Sequence, residues 1–297
     1  MKSRIYCSIL ILAVLVYLDG CRRSAGNRQD EGFLQIKGSD TIVNAAQKVS
    51  EEFMKVNPYI FVGVTGGGSG VGIASLINGT CDIATSSREM KAKEFELARK
   101  HGVEPNEITV AYDGVAVVVN INNPVEHLTL EQLRRIFTGE VKNWKDVGGK
   151  DLPIVTLSRE VSSGTHIYFK EEVIRQGKKD STAEFIADTL LLTSSQTIVE
   201  EVANNESAVG YLGMGYISDR TKTVKLRKKE GDYFPADISH VLNKTYPLSR
   251  PLYFYINGRP QGVVKKFIDF TLSPQGQQQF AETGFVPLEA DFGQKNK

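Results

Sequence analysis

From Phe33 onward, short apolar runs typical of strands alternate with segments whose apolar residues recur every three or four positions. The first such segment has Ile42, Ala46, Val49 and Phe53 on one face, which is the spacing of a helix. The predicted strands are 34–37, 60–65, 81–84, 110–120, 153–157, 208–212 and 251–256, and the predicted helices are 42–53, 72–78, 128–137, 166–175, 197–203, 262–271 and 274–283. This alternation predicts an α/β fold with a mostly parallel sheet.

The division of the chain into domains is not marked by any linker. The 297 residues suit one large domain or two of moderate size, and neither an internal repeat nor a Pro- or Gly-rich stretch separates two halves. A hidden boundary is typical of a chain that crosses between two domains more than once. The apolar runs 110–120 and 248–255 are suited to such crossings.

The first twenty residues have the pattern of a signal peptide. Lys2 and Arg4 precede an apolar segment, 8–18, which is shorter than the roughly 20 residues that a membrane-spanning helix needs. We therefore predict that residues 1–20 are removed and that the protein is exported.

Cys21 follows this segment in a context that resembles the bacterial lipobox. We predict lipidation of Cys21, a tether over residues 21–32, and a protein anchored to a bacterial membrane on its periplasmic or extracellular face. Asp19 departs from the small residue usual before that cysteine. Cleavage by an ordinary signal peptidase is the alternative, and it also gives an exported protein.

The charge balance excludes whole classes of partner. The chain carries 36 basic and 35 acidic residues, and loss of Lys2, Arg4 and Asp19 leaves the mature chain formally neutral. A neutral chain has no global field that attracts nucleic acid or an anionic membrane surface, so membrane contact is expected through the lipid only. Any anion site must be built locally.

Cysteine and histidine usage argues against disulfides, metals and cofactors. Cys7 lies in the predicted signal peptide and Cys21 would carry lipid, so only Cys81 remains. It lies in an apolar, strand-like run and is expected to be a buried, unreactive side chain. The four histidines are scattered, and no spacing typical of a metal site occurs.

Three segments between a predicted strand and the next predicted helix share one design. They are Gly38-Ser39-Asp40-Thr41, Gly66-Gly67-Gly68-Ser69-Gly70 and Arg159-Glu160-Val161-Ser162-Ser163-Gly164-Thr165. Each places small residues and hydroxyls at a helix N-terminus, where backbone N–H groups lack partners and the helix dipole is positive. In open α/β sheets, ligands bind beyond the carboxyl ends of the strands, where these loops would lie. Together with the planar donor group of Arg159, they predict a site for a tetrahedral anion.

Each segment also has a purely structural explanation. The serines and Asp40 could be helix caps, the glycines 66–68 could form a flexible turn, and Arg159 could pair with a surface carboxylate. The prediction of an anion site depends on the occurrence of three such junctions in one chain.

Ordered motifs extend over the mature chain from Ile36 to Leu288. They are Lys37-Gly38-Ser39-Asp40-Thr41, 66–72, 77–84, 159–165, Ala208-Val209-Gly210-Tyr211, 246–252, 272–277 and Gly284-Phe285-Val286-Pro287-Leu288. With these motifs the sequence resembles the phosphate-binding proteins of bacterial phosphate ABC transporters. The resemblance implies a two-lobed periplasmic-binding-protein fold, with two crossing hinge strands and the ligand in the cleft between the lobes.

The resemblance also implies the lobes and the partners. One lobe would comprise 33–112 plus 250–297 and the other 113–249. The protein would be a monomeric solute-binding lipoprotein, not an enzyme. It would capture inorganic phosphate and deliver it to the permease and ATPase subunits of an importer.

Carried over residue by residue, the resemblance gives a set of phosphate-binding residues: Ser39, Asp40, Thr41, Ser69, Gly70, Ser87, Arg159, Ser163, Gly164 and Thr165. Ser87 stands where some members have an aspartate that accepts the hydrogen bond from protonated phosphate. Phosphate near neutral pH keeps a proton and needs an acceptor, whereas sulfate has none to give. We predict that Asp40 is this acceptor. If Asp40 faces away as a cap, a sulfate-like oxyanion is the alternative.

Two other classes of function are compatible with parts of the sequence. A secreted serine hydrolase could use Ser163 with His166, but the G-x-S-x-G pattern is absent around Ser163 and Ser69 and no third group is identifiable. We therefore expect His166 to be a solvated helix residue. A surface adhesin or a sensory module could keep a receptor fold. The sequence has no Walker loop and no dinucleotide fingerprint.

Overall fold

The computed structural model describes residues 31–228 and 230–288. The predicted signal peptide, the predicted lipidation site Cys21 and the tether up to residue 30 lie outside the described residues. In the described part of the chain, no helix has both the length and the apolar character needed to cross a membrane.

Strands and helices alternate along the described chain, as the sequence predicts. The strands are β1 Gly32–Gly38, β2 Ile60–Thr65, β3 Ile83–Ser86, β4 Pro105–Asn120, β5 His127–Thr129, β6 Val155–Arg159, β7 Leu190–Leu192, β8 Ala208–Gly213, β9 Thr221–Arg227 and β10 Ser249–Asn257. The α-helices are α1 Val43–Val56, α2 Ser69–Ile77, α3 Ala92–Lys100, α4 Leu130–Phe137, α5 Gly164–Phe169, α6 Ser195–Asn204, α7 Ile238–Leu242, α8 Gly262–Leu272 and α9 Pro274–Glu282. Short 3-10 turns at Trp144–Val147 and Met214–Tyr216, and a π turn at Lys170–Ile174, complete the set.

The strands form one curled sheet in the order β2-β1-β3-β10-β4-β8-β6-β7, with β9 beside β4 and β5 beside β9. The two ends of the sheet are parallel, and the pairs that involve β10 and β4 are antiparallel. Apolar periodicity does not encode strand direction, so the sequence could not reveal the antiparallel centre.

β4 is shared between the two ends of the sheet. Residues 105–114 pair with β10, and residues 115–119 pair with β8. The side chains of Val115–Val119 are fully buried, which accounts for the continuous β-branched run in the sequence. The structure extends this strand to Pro105, farther back than the predicted start at Val110.

Aromatic side chains fill the core on both sides of β4. Phe53 of α1 packs edge-on against Phe267 of α8 with ring centroids 5.2 Å apart. In the other half, the rings of Phe169 and Tyr211 are stacked at 3.8 Å. These contacts fix the helices that begin at the candidate site, because α1 and α5 carry two of the rings.

The main differences from the predicted elements lie where apolar periodicity is weak. Helix α3 was not predicted, since Ala98 is its only buried residue. The short or mostly polar elements β5, β7, β9 and α7 were not predicted either. The helix expected over 166–175 begins at Gly164 and changes to a π turn at Lys170. The α/β class itself is confirmed.

Candidate functional site

The first of the three loops follows β1. Gly38 has a φ of +142°, and a Cβ there would lie 2.1 Å from the carbonyl oxygen of Thr85, so only glycine fits this turn. The Ser39 N–H donates to the Thr85 carbonyl at 3.0 Å. This packing holds Ser39 and Thr41 buried at the start of α1.

The second loop lies between the first and the third. The Gly68 N–H donates to the Gly38 carbonyl at 2.8 Å, and the Gly70 N–H donates to the Ser162 carbonyl at 2.9 Å. A Cβ on Gly68, whose φ is +96°, would lie 2.9 Å from that Ser162 oxygen. The glycine run therefore has a packing role, because the backbones of three loops meet there.

The third loop brings a further glycine against two serines. A Cβ on Gly164 would lie 2.3 Å from Ser69 Oγ and 2.6 Å from Ser87 Oγ. The Ser87 N–H donates to Ser69 Oγ at 3.0 Å, and the two hydroxyl oxygens are 3.4 Å apart. Ser69, Ser87 and Gly164 thus meet at one point in the fold.

The structural alternative of a helix cap holds for one serine and not for another. Ser163 Oγ accepts from the N–H groups of Thr165 and His166 at 3.2 and 3.4 Å, so Ser163 is the N-cap of α5. Ser69 is the first residue of α2, and its hydroxyl bonds to Ser87 outside the helix. As an acceptor in its cap, Ser163 Oγ keeps its own hydrogen free to donate.

Asp40 and Arg159 form an ion pair between the first and third loops, in which Arg159 is buried and Asp40 is partly exposed. Arg159 Nη2 donates to Asp40 Oδ2 at 2.7 Å, and the Gly67 N–H donates to Asp40 Oδ1 at 2.9 Å. Asp40 is therefore not a cap of α1, whose N-cap is Ile42. The other carboxylate of the three loops, Glu160, is exposed and faces solvent.

The remaining donors of Arg159 are largely engaged with the protein. Nε donates to the Leu192 carbonyl at 3.2 Å, Nη2 also donates to the Thr193 carbonyl at 2.8 Å, and Nη1 donates to Ser195 Oγ at 3.1 Å. Of the five N–H groups of a guanidinium, this leaves one on Nη1 without a protein acceptor among the described residues. The two-oxygen grip expected from the sequence would require Arg159 to exchange one of these partners.

A pair of buried threonines joins the first and third loops. Thr41 Oγ1 and Thr165 Oγ1 are 2.8 Å apart. Arg250 Nη2 donates to Thr165 Oγ1 at 3.0 Å, and its Nε and Nη2 donate to Asp113 Oδ2 at 2.9 and 2.7 Å. Sequence reasoning missed Arg250 and Asp113. A signal existed, because each is a single charge within a long apolar strand run and so needs a buried partner.

The assembled site is rich in hydrogen-bond donors. Within the described residues, the backbone N–H groups of Asp40, Thr41, Ser69 and Gly164 donate to no protein acceptor. They lie at the start of three helices, where the helix dipole adds positive charge. With the hydroxyls around them and one carboxylate, such a set can hold a small oxyanion that carries a proton. The described residues contain no cluster of His, Cys, Asp and Glu side chains that could hold a metal ion.

His166 is buried, and the expectation of a solvated helix histidine is wrong. Its Nδ1 is 2.9 Å from Ser158 Oγ, which is 2.5 Å from the hydroxyl of Tyr211. Burial, with a smaller contribution from Lys170, lowers the pKa of His166 to about 4. The ring packs 4.9 Å from that of Phe185, an aromatic neighbour that apolar periodicity on α5 alone could not reveal.

A hydrolase would need His166 to activate Ser163, and the geometry does not provide this pair. The hydrogen bonds of Ser163 Oγ are with backbone N–H groups, and the imidazole bonds instead to Ser158, which is fully buried. Cys81 is buried as predicted, and burial raises the pKa of its thiol to about 12, so it is unreactive.

Comparison with known families places this arrangement among solute receptors. Residues 23–275 match the model of the PBP superfamily domain. The phosphate-binding protein PstS of Pseudomonas aeruginosa is 33% identical over 89% of this chain and 85% of its own length. PstS of Staphylococcus saprophyticus is 34% identical over 89% of this chain and 83% of its own length.

Solved structures agree with the sequence relatives. A proposed phosphate ABC transporter substrate-binding protein of Clostridium perfringens, solved with bound phosphate, is 33% identical with a TM-score of 0.78. The match covers 86% of this chain and all of that one. An ABC-type phosphate transport receptor of Vibrio cholerae is 30% identical with a TM-score of 0.68, over 85% of this chain and 99% of its own.

Proposed function

This chain belongs to the PstS-type phosphate-binding proteins of the PBP superfamily, and from that premise we propose that it captures inorganic phosphate for an ABC importer. Members of this family are solute-binding proteins and not enzymes. They act outside the cytoplasm, which agrees with the signal peptide predicted for residues 1–20.

The observation that carries the proposal is the meeting of three helix starts around Asp40 and Arg159. Hydroxyl and backbone N–H donors from loops far apart in the sequence meet in a buried place. Such donors suit the several oxygens of phosphate, because charge-assisted hydrogen bonds to an oxyanion are stronger than neutral ones. The proposed ligands are Ser39, Asp40, Thr41, Ser69, Gly70, Ser87, Arg159, Ser163, Gly164 and Thr165.

Asp40 is the proposed acceptor for the phosphate proton. Each of its oxygens already accepts one hydrogen bond, from Gly67 and from Arg159, and each keeps a further lone pair. Side-chain exposure of 15% leaves this carboxylate partly accessible. A bound phosphate hydroxyl can therefore donate to Asp40 without displacing Arg159.

The lobes proposed are 33–112 plus 250–297 and 113–249. In support, β4 changes partner from β10 to β8 at residues 114–115, close to the proposed boundary at 112–113. Among the hydrogen bonds that would then cross the cleft are those from Arg159 to Asp40, between the threonines 41 and 165, and from Gly70 to Ser162. This arrangement corresponds to a closed receptor, and opening would break these bonds by motion at the hinge.

The remaining partners follow from the family. We propose delivery to permease and ATPase subunits, anchoring through a lipid on Cys21, and a monomer. Neighbouring genes for a permease and an ATPase would support the transport role over an adhesin or a sensor.

Calorimetric titration of the purified chain, without residues 1–20, tests the function. Phosphate and arsenate, which share shape and protonation, should bind with one-site saturation, and sulfate should bind at least about tenfold more weakly. Titration with chloride at the same ionic strength is the control. Preference for sulfate would show a receptor for a fully ionised oxyanion. If phosphate, arsenate and sulfate all failed to bind, the proposal would be contradicted.

A further inference from the structure

Arg250 and Asp113 form another ion pair, which is buried and lies outside the set of proposed ligands. The two residues face each other across the antiparallel ladder of β10 and β4, and their side chains are 2% and 0% exposed. Asp113 Oδ1 also accepts the N–H of Met214 at 2.9 Å. The pair thus lies where β4 passes from one end of the sheet to the other.

Stability alone does not account for this pair. A buried ion pair can often be replaced by apolar side chains without loss of stability, since both charges lose their hydration. Moreover, Arg250 Nη1 is buried and has no hydrogen-bond partner among the described residues. A buried donor without a partner is itself unfavourable.

Both members of the pair are connected to the first loop of the candidate site. Arg250 bonds to Thr165, and Thr165 bonds to Thr41. On the other side, Asp113 bonds to Met214 of the turn Met214–Tyr216, whose Tyr216 hydroxyl donates to the Asp40 carbonyl at 2.7 Å.

We propose that Arg250, held by Asp113, is a positioning residue that orients the hydroxyls of Thr165 and Thr41 for the anion. A guanidinium can only donate, so Thr165 Oγ1 must accept from Arg250. The two threonines have two hydroxyl hydrogens, and one of them forms the hydrogen bond between Thr41 and Thr165. The other hydrogen points away from Arg250, toward the bound anion. Asp113 holds the guanidinium of Arg250 in place and balances its positive charge. This role rests on the proposed function, because it concerns the same site.

The test compares phosphate affinity in a double-mutant cycle of Arg250→Lys and Thr165→Val. Lysine keeps the charge beside Asp113 but lacks the planar fork that reaches Asp113 and Thr165 together. Arg250→Lys should weaken phosphate binding by about tenfold in the wild-type background and by less than about threefold with Thr165→Val. Thr165→Ser keeps the hydroxyl and should retain the full effect of Arg250→Lys.

The control is Phe267→Leu, a core change in α8 that should lower stability and leave phosphate affinity unchanged. If Arg250→Lys does not fold, the neutral pair Asp113→Asn with Arg250→Gln replaces it in the same cycle. The positioning role alone would be overturned if Arg250→Lys lost the same factor of phosphate affinity with Thr165 and with Thr165→Val. It would also be overturned if Arg250→Lys bound phosphate with wild-type affinity. A wild-type protein that does not bind phosphate would instead overturn the proposed function.

Discussion

Arg159 donates from Nη2 to Asp40 Oδ2 at 2.7 Å, across 119 residues of sequence. The bond joins the last residue of β6 to the loop after β1 and balances the positive charge of the site with a negative one. An anion that enters here therefore gains more from aimed N–H and O–H donors than from net charge.

Arg159→Ala should weaken phosphate binding more than Ser39→Ala. The first change removes a buried cation and releases Asp40 from its partner, whereas the second removes one neutral hydroxyl. Hydrogen bonds to charged groups contribute about 1.5–3 kcal/mol, against about 1 kcal/mol for neutral ones. Calorimetry on both variants, with urea unfolding to confirm that each is folded, measures the difference. Equal affinities for wild type and Arg159→Ala would remove the arginine from the site.

Asp40→Asn should change the preference between phosphate and sulfate. A carboxylate can only accept, whereas an amide can turn its carbonyl to a phosphate hydroxyl or its NH2 to a sulfate oxygen. Loss of the negative charge also reduces the repulsion of both anions. The decisive quantity is therefore the ratio of phosphate affinity to sulfate affinity. That ratio should fall at least about tenfold. An unchanged ratio would mean that Asp40 serves Arg159 and Gly67 only.

His166 should contribute to loss of stability in acid. Its folded-state pKa of about 4 is below the ordinary histidine value of about 6.5, so the unfolded chain binds a proton that the folded chain does not. The contribution of His166 to the free energy of unfolding is fully present above a pH of about 6.5. As the pH is lowered from there to about 4, this contribution falls by about 1.4 kcal/mol per pH unit.

Urea unfolding of wild type and His166→Gln between these pH values isolates the contribution of the histidine. Carboxylates with lowered pKa produce a fall in stability in both proteins, so the difference between the two slopes is the measured quantity. Parallel curves would show that the imidazole is solvated and protonated in the folded state.

Cys21→Ser should release the protein from membranes and leave phosphate binding intact. Fractionation of cells that express each form, followed by titration of the soluble variant, measures both properties. The matched change Cys81→Ser lies in the buried core and should leave membrane association as it is. If Cys21→Ser stays with the membrane fraction, the lipobox interpretation is wrong.

The sequence determined the α/β class, because strand-like and helical periodicities alternate and each needs a buried face. It also marked the three glycine- and hydroxyl-rich junctions, since turns with positive φ at Gly38 and Gly68 are local requirements on the chain. The burial of the His166 side chain was not predicted, because it is not a local property of the chain. Its burial depends on Ser158, Tyr211 and Phe185, which all lie outside its own helix.

Only the tertiary structure decided which donors and acceptors meet. Sequence reasoning treated Arg159 as an open fork or as the partner of a surface carboxylate, and Asp40 as a free acceptor or a cap. The fold pairs the two residues with each other. It likewise brought Arg250 and Asp113 together behind the threonines. Hydrogen bonds and ion pairs act over a few ångströms, so their partners are set by which loops the sheet order brings together. Local apolar periodicity does not specify the order of the strands in the sheet.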